Sequence, residues 1–121
     1  MKRVTILLFV LLVAGFVRGD ISRAQDPSKV NSKHIVVRLE NQRVRVFDVT
    51  LRPGEKEQTH SHPAYVVYVT EGGKIRNHMS DGAVTEAEFK PGDVFYREPL
   101  THWAENIGKT TIRLVVVELK N

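Results

Sequence analysis

From His34 to Leu119 the apolar residues come in short runs cut by glycine and proline, and the runs are rich in Val, Ile, Thr, Tyr and Phe. That is strand chemistry, because β-branched and aromatic side chains suit a pleated surface. Ile35, Val37 and Leu39 alternate with Val36 and Arg38, and Glu40-Asn41-Gln42 turns the chain. Val44 and Val46 share one face, after which Phe47, Val49 and Leu51 continue with the phase moved by one, which predicts a bulge or bend. Arg52-Pro53-Gly54-Glu55 reads as a turn. The nearly unbroken apolar run Ala64 to Thr70 predicts a strand covered on both faces. Further strands are expected over Lys74 to Met79, Ala83 to Phe89, Val94 to Tyr96, His102 to Asn106 and Thr110 to Leu119, separated by Ser80-Asp81-Gly82, Lys90-Pro91-Gly92-Asp93 and Asn106-Ile107-Gly108-Lys109. Some eight or nine short strands with no helical period indicate an all-β sandwich or barrel, closed because an open sheet of this size leaves an apolar face wet.

The first 24 residues follow a different pattern. Lys2 and Arg3 precede Val4 to Val17, apolar except for Thr5. This stretch is shorter than the ~20 residues of a membrane span and fits the core of a secretory signal peptide. Ser22-Arg23-Ala24 places small residues where a signal peptidase reads, so cleavage is expected before Gln25, with cleavage after Gly19 second and an uncleaved anchor helix as the alternative. The expected organisation is 1–24 signal peptide, 25–33 flexible lead-in and 34–121 a single domain, exported to the periplasm or secreted. Without cysteine there is no lipoprotein anchor, disulfide, thiolate metal site or cysteine nucleophile. The formal charge of +4 comes largely from the leader, since residues 25–121 hold 14 basic and 13 acidic groups. Such a balance gives no reason to expect nucleic acid as a partner.

The candidate chemistry lies in histidine. His60 and His62 are two residues apart, so on a strand both rings leave the same face and can meet one cation. His102 lies on a late strand, with Asn106 four residues beyond on the same face. His34 and His78 are expected at the surface or rim, with Lys74, Arg76 and His78 sharing a face. Trp103 points opposite to His102 and is read as core packing. Tyr65 and Tyr68 fall on opposite faces, so one reaches the interior, and at most one of Tyr96 and Arg97 does. Glu55 to Thr59 reads as an exposed approach, and Glu98 as a solvent-exposed residue, distant from the histidines if it acts as an acid or base. No general base stands out.

Together these residues resemble the cupin superfamily, whose small single-domain members are jelly-roll β-barrels. Gly54, His60-Ser61-His62 and Gly73 resemble the first motif of the family, and Gly92, Pro99, His102 and Asn106 the second, over roughly residues 46–118. Two departures stand out. The motif's metal-binding Glu would fall at Val66 or Val67, and Thr101 replaces a glycine in a compressed Pro99-Leu100-Thr101-His102 segment. The resemblance therefore implies a three-histidine site, His60, His62 and His102, for a divalent transition metal (Zn, Fe, Ni, Cu or Mn), beside an apolar wall at Val66–Val67. Some cupin dioxygenases are similar in binding iron through three histidines. The function expected on this basis is a metal-dependent, dioxygenase-like enzyme acting on a small organic substrate such as an acid or phenol, with isomerase or decarboxylase chemistry nearby. The alternative is a non-catalytic cupin that binds a small molecule or a metal. A homodimer is expected, with pairing near Ile35 and the run Leu114 to Val117.

Overall fold

The structure, a computed structural model, describes residues 25–121, so the expected leader lies outside the described residues. The strands are β1 (Ile35–Glu40), β2 (Val44–Leu51), β3 (His60–His62), β4 (Tyr65–Glu71), β5 (Gly73–Met79), β6 (Val84–Phe89), β7 (Val94–Arg97), β8 (Leu100–Asn106) and β9 (Ile112–Leu119). They form two antiparallel sheets, β1-β2-β9-β4-β7 and β3-β8-β5-β6, folded together as the jelly roll expected. The glycines of the predicted turns carry the positive φ that other residues resist: Gly54 at 81°, Gly82 at 91° and Gly92 at 92°.

The phase change at Val46–Phe47 does not bulge β2, which pairs with β9 without interruption from Val44 to Leu51. The irregularity sits in β1, where Val37 faces Phe47 but Leu39 faces Val46. Val44 and Val46 therefore lie on the outer face, while Phe47, Val49 and Leu51 point inward and are buried. The run Ala64 to Thr70 is covered on one face only. Tyr65, Val67 and Val69 are buried, whereas Tyr68 is 47% exposed, because β4 lies in a sheet with nothing packed on its outer side among the described residues. Apolar content there reflects strand propensity rather than double burial.

The inner faces build two clusters. One contains Ile35, Phe47, Val49, Tyr65, Val67 and Val116, the other Val69, Ile75, Phe89, Ala104 and Ile112. Phe95 and Leu114 pack against both. Asn106 locks the end of the second cluster. Its Nδ2 donates to the Leu51 and Thr110 carbonyls, each at 2.8 Å, and its Oδ1 accepts from Gly108 N–H at 3.0 Å. A motif asparagine thus serves the barrel wall.

Residues 25–33, expected as a lead-in, include a helical turn, α1 (Pro27–Val30), capped by the Asp26 side chain accepting from Ser28 N–H at 2.9 Å. Gln25 is tied to β3, its carbonyl accepting Ser61 N–H at 2.9 Å and its Oε1 accepting Ser61 Oγ–H at 2.7 Å. The expected pairing surface also needs correction. β9 lies between β2 and β4, so Leu114 to Val117 has no free edge, whereas β1 is an edge strand.

Candidate metal centre

Strand register brings the three histidines together. β3 has three residues, enough for one repeat of the pleat: His60 and His62 leave its inner face, and His60 pairs directly with His102 on β8. All three rings are buried. Their centroids are 4.7 Å apart for His60–His62 and His60–His102, and 5.4 Å for His62–His102. The planes meet at 86°, 68° and 64°, so the rings converge rather than stack. One nitrogen of each lies within 4.8 Å of the other two.

The outer hydrogen bonds fix which nitrogen faces inward. His60 Nδ1 lies 2.8 Å from the Gln58 carbonyl oxygen. Nδ1 also lies 3.0 Å from Asn31 Nδ2, so it either donates to the carbonyl or accepts from the amide; the tautomer that donates to the carbonyl is the one that leaves the Nε2 lone pair free for a metal. Asn31 holds that carbonyl in place: its Nδ2 donates to Gln58 O at 3.0 Å and its Oδ1 accepts Gln58 N–H at 2.7 Å. His62 Nδ1 donates to Glu118 Oε2 at 2.8 Å, which again frees Nε2. Glu118 is itself held by Arg45, from Nε at 2.7 Å and the second guanidinium nitrogen at 2.6 Å, and Arg45 reaches Asp26 at 2.6 Å. The His62 ring also stacks with Tyr65 and Phe47, at 4.4 Å and 6.0 Å between centroids. Carboxylate support behind a ligating imidazole is the arrangement that orients metal-binding histidines.

Electrostatics favours neutral rings. Burial, then the neighbouring His62, lowers His60 to about 4. Burial, then His60 and His62, lowers His102 to about 2. Both therefore offer lone pairs at neutral pH. Burial also pushes the Tyr65 phenol up to about 12, so it stays a hydrogen-bond donor. Three imidazole nitrogens suit Zn, Fe, Ni or Cu better than Mg or Ca. The three histidines could hold such an ion.

The cluster faces a cavity of about 550 Å³ with apolar walls, among them Phe47, Val67, Phe95 and Leu100. Of the two positions at which the motif's carboxylate would fall, Val67 points inward and is buried, and Val66 points outward. Arg97 lines the cavity while Tyr96 faces out, and Tyr65 rather than Tyr68 is the inward tyrosine. Trp103 is not core: it is half-buried on the outer side of its sheet, with His78 stacked on it at 3.7 Å. His78 and Arg76 both bond Glu105 there, away from the cavity. His34 lies 3.5 Å from Glu55, and Glu98 is exposed. Two functional candidates escaped sequence reading. Glu118 shares the inward phase of β9 with Ile112, Leu114 and Val116, and a charge at an apolar phase was its signal. Glu57 lines the cavity from within a stretch that reads as polar loop.

No family model matches this chain. It is 32% identical over 78 residues to germin-like protein subfamily T member 3 of Arabidopsis thaliana, covering 61% of this chain and 34% of the relative. The chain thus spans about a third of that relative's length. A cupin domain from Bordetella pertussis superimposes with a TM-score of 0.66 at 26% identity, covering 72% of this chain and 92% of that one. A protein with a double-stranded β-helix domain from Klebsiella pneumoniae gives 0.58 at 29% identity, covering 73% and 79%. Two antiparallel sheets rolled around an inward histidine cluster define a cupin-type jelly roll. The chain has the fold of a small cupin.

Proposed function

We propose that this cupin is a metal-dependent enzyme of dioxygenase-like type, with a divalent transition metal held by His60, His62 and His102 and a small organic substrate bound beside it. The observation that carries this reading is the convergence of three buried imidazoles, two held neutral by burial, on an apolar cavity of about 550 Å³. A cation bound there supplies Lewis-acid polarisation and, if redox-active, one-electron chemistry. The chain's own residues do the rest. Phe47, Phe95, Leu100 and Val67 exclude water and receive an apolar substrate body. Arg97, its guanidinium 5.3 Å from the Phe95 ring, offers a charge to an acidic group, and Tyr65 offers a phenol. Protein isolated without added metal is expected to hold about one equivalent of a transition metal. Metal-loaded protein is expected to consume oxygen with small phenols or organic acids, and His60→Ala with His62→Ala to abolish both. Uptake that survives the double substitution sinks the proposal. The second reading, a non-catalytic binder, is favoured by Val67 in place of a carboxylate; it predicts stoichiometric binding without turnover.

We also propose that the chain is exported and homodimeric. Cleavage before Gln25 leaves that residue its bonds to Ser61. Edge strand β1 exposes Val36, Val37 and Leu39 at 51%, 40% and 49%, an apolar edge suited to pairing with a second copy across a two-fold axis. Protein recovered from the exported fraction is expected to begin at Gln25 and to sediment as a dimer; an intact leader or a monomer counts against the respective half.

A further inference from the structure

Glu57 sits between β2 and β3 in the polar stretch Glu55-Lys56-Glu57-Gln58-Thr59. The backbone there runs as a short extra strand beside β8. Gly54 N–H donates to the Asn106 carbonyl, Asn106 N–H to the Glu55 carbonyl, and Glu57 N–H to the Ala104 carbonyl, at 2.9, 3.0 and 2.9 Å. Strand alternation then separates neighbours. Lys56 reaches the Glu105 carboxylate outside, at 3.7 Å, and Glu57 turns inward to line the cavity. Its Oε1 accepts Ala104 N–H at 3.1 Å. Ala104 is two residues from His102 on the inward face of β8. The bond thus anchors the carboxyl, in the same cavity, at a residue about 7 Å along the strand from His102.

The surroundings do not hold this carboxyl ionised. Burial pushes it up to about 8, opposed only by the one backbone N–H. The titratable groups facing the same cavity are His60 and His62 on β3, Tyr65 on β4, Glu86 on β6, Arg97 on β7 and His102 on β8. Arg97 alone is a permanent cation. Among the described residues, the bond to Ala104 is the one hydrogen bond the carboxyl makes.

We propose that Glu57 is the proton-transfer residue of this site, taking the proton of an acidic hydroxyl — a phenol, an enol or a hydroxy acid — as that oxygen binds the cation held by the three histidines. The proposal rests on the metal-centre reading above. The step conserves atoms and electrons: the ligand O–H bond breaks, a Glu57 O–H bond forms, and the bonding electron pair stays on the ligand oxygen, where a cation held by the three histidines would stabilise it. Charge balance gives the direction. A dication beside three neutral rings favours the Glu57 carboxylate. An oxyanion cancels one of the two positive charges, and Glu57 recovers its proton. An anionic ligand thereby enters a low-dielectric cavity without changing the site's net charge.

The competing explanation is that Glu57 only caps the Ala104 N–H. Glu57→Gln separates the two, because an amide oxygen accepts that bond but takes no proton. Zinc-loaded wild type and Glu57→Gln are titrated with nitrocatechol, whose absorbance reports its ionisation, in buffers of differing ionisation enthalpy so that calorimetry counts protons. Both proteins are expected to hold equal zinc. The wild type is expected to release about one proton fewer per bound probe, and the variant to bind the probe roughly tenfold more weakly. In carboxyl-carbon NMR of the metal-free protein, one glutamate signal, missing in the variant, should titrate at about 8 and move down when zinc is added. Equal proton release, a Glu57 signal in the ordinary carboxylate range, or no uptake of probe by zinc-loaded wild type overturns the proposal. Zinc loss confined to Glu57→Gln overturns it by making Glu57 a ligand. Absence of zinc binding in the wild type overturns the metal-centre reading itself, and with it the proposal, and is told apart from the other failures by the zinc content.

Discussion

Zinc is expected to raise the unfolding temperature of the wild-type domain by about 15–30 °C, and His102→Ala to lose nearly all of that gain. A ligand that binds only the native state at a thousandfold excess over its dissociation constant adds about 4 kcal/mol. In a domain of this size each kcal/mol shifts the midpoint by roughly 4–8 °C, so the expected rise is about 15–30 °C. His102 supplies the one donor that β3 does not carry, and without it two imidazoles from a single short strand remain. The variant is expected to gain no more than a few degrees. Its metal-free form should fold, because the truncated ring borders an existing cavity rather than opening a void in tight packing. Differential scanning calorimetry at pH 7 with and without zinc makes the comparison; an undiminished shift in His102→Ala removes that residue from the site. The choice of pH matters. His60 and His102 titrate near 6.5 when unfolded but are lowered to about 4 and about 2 when folded, by burial first and by neighbouring imidazoles second. Below 6.5 the unfolded chain binds more protons, so their contribution to stability is complete above 6.5 and is lost progressively as the pH falls from there through about 4 for His60 and toward about 2 for His102.

The strands and the His60–His62 pair were readable because both depend on local period, while His102 joined them only through the family resemblance, since its place depends on β3 pairing with β8. Alternation places His60 and His62 on one face whatever the partner strand, and Gly54, Gly82 and Gly92 mark turns through their own backbone requirement. What alternation does not encode is which strand lies beside which. The phase change in β2 had its cause in β1, across the sheet. The apolar run in β4 gave no sign that only one of its faces would be covered. β9 read as an edge and lies in the middle, since chain order and spatial order differ in this topology. Glu57 was hidden for the same reason: its inward turn follows from pairing with β8, 47 residues away. Asn31 looked like part of a polar lead-in, yet it is buried and braces the backbone behind His60.

Glu118 is where fold and site are joined most tightly, and Glu118→Ala is expected to damage both. The carboxylate lies between His62 and Arg45, and Arg45 continues to Asp26, so one buried residue on β9 ties β3 to β2 and to the cap of α1. Removing one partner of a buried ionic network leaves the others uncompensated and costs about 3–5 kcal/mol. A net loss near the top of that range approaches the whole stability of a small domain. The second effect is on the metal. Without its acceptor the His62 ring loses the bond that fixes Nδ1–H outward and Nε2 inward, and zinc affinity should fall roughly 10- to 100-fold. The two effects are separable. Arg45→Met combined with Glu118→Met replaces the ion pair by apolar side chains, which for buried pairs is often neutral in stability. That double variant should recover most of the denaturant midpoint lost by Glu118→Ala while zinc affinity stays low, because no methionine sulfur replaces a carboxylate as partner for His62 Nδ1–H. Recovery of both properties together would show that Glu118 acts on the metal only by keeping the barrel folded. Recovery of neither would place its main role in the Asp26–Arg45 link, which would leave the carboxylate's bond to His62 a by-product of how β9 packs against β2.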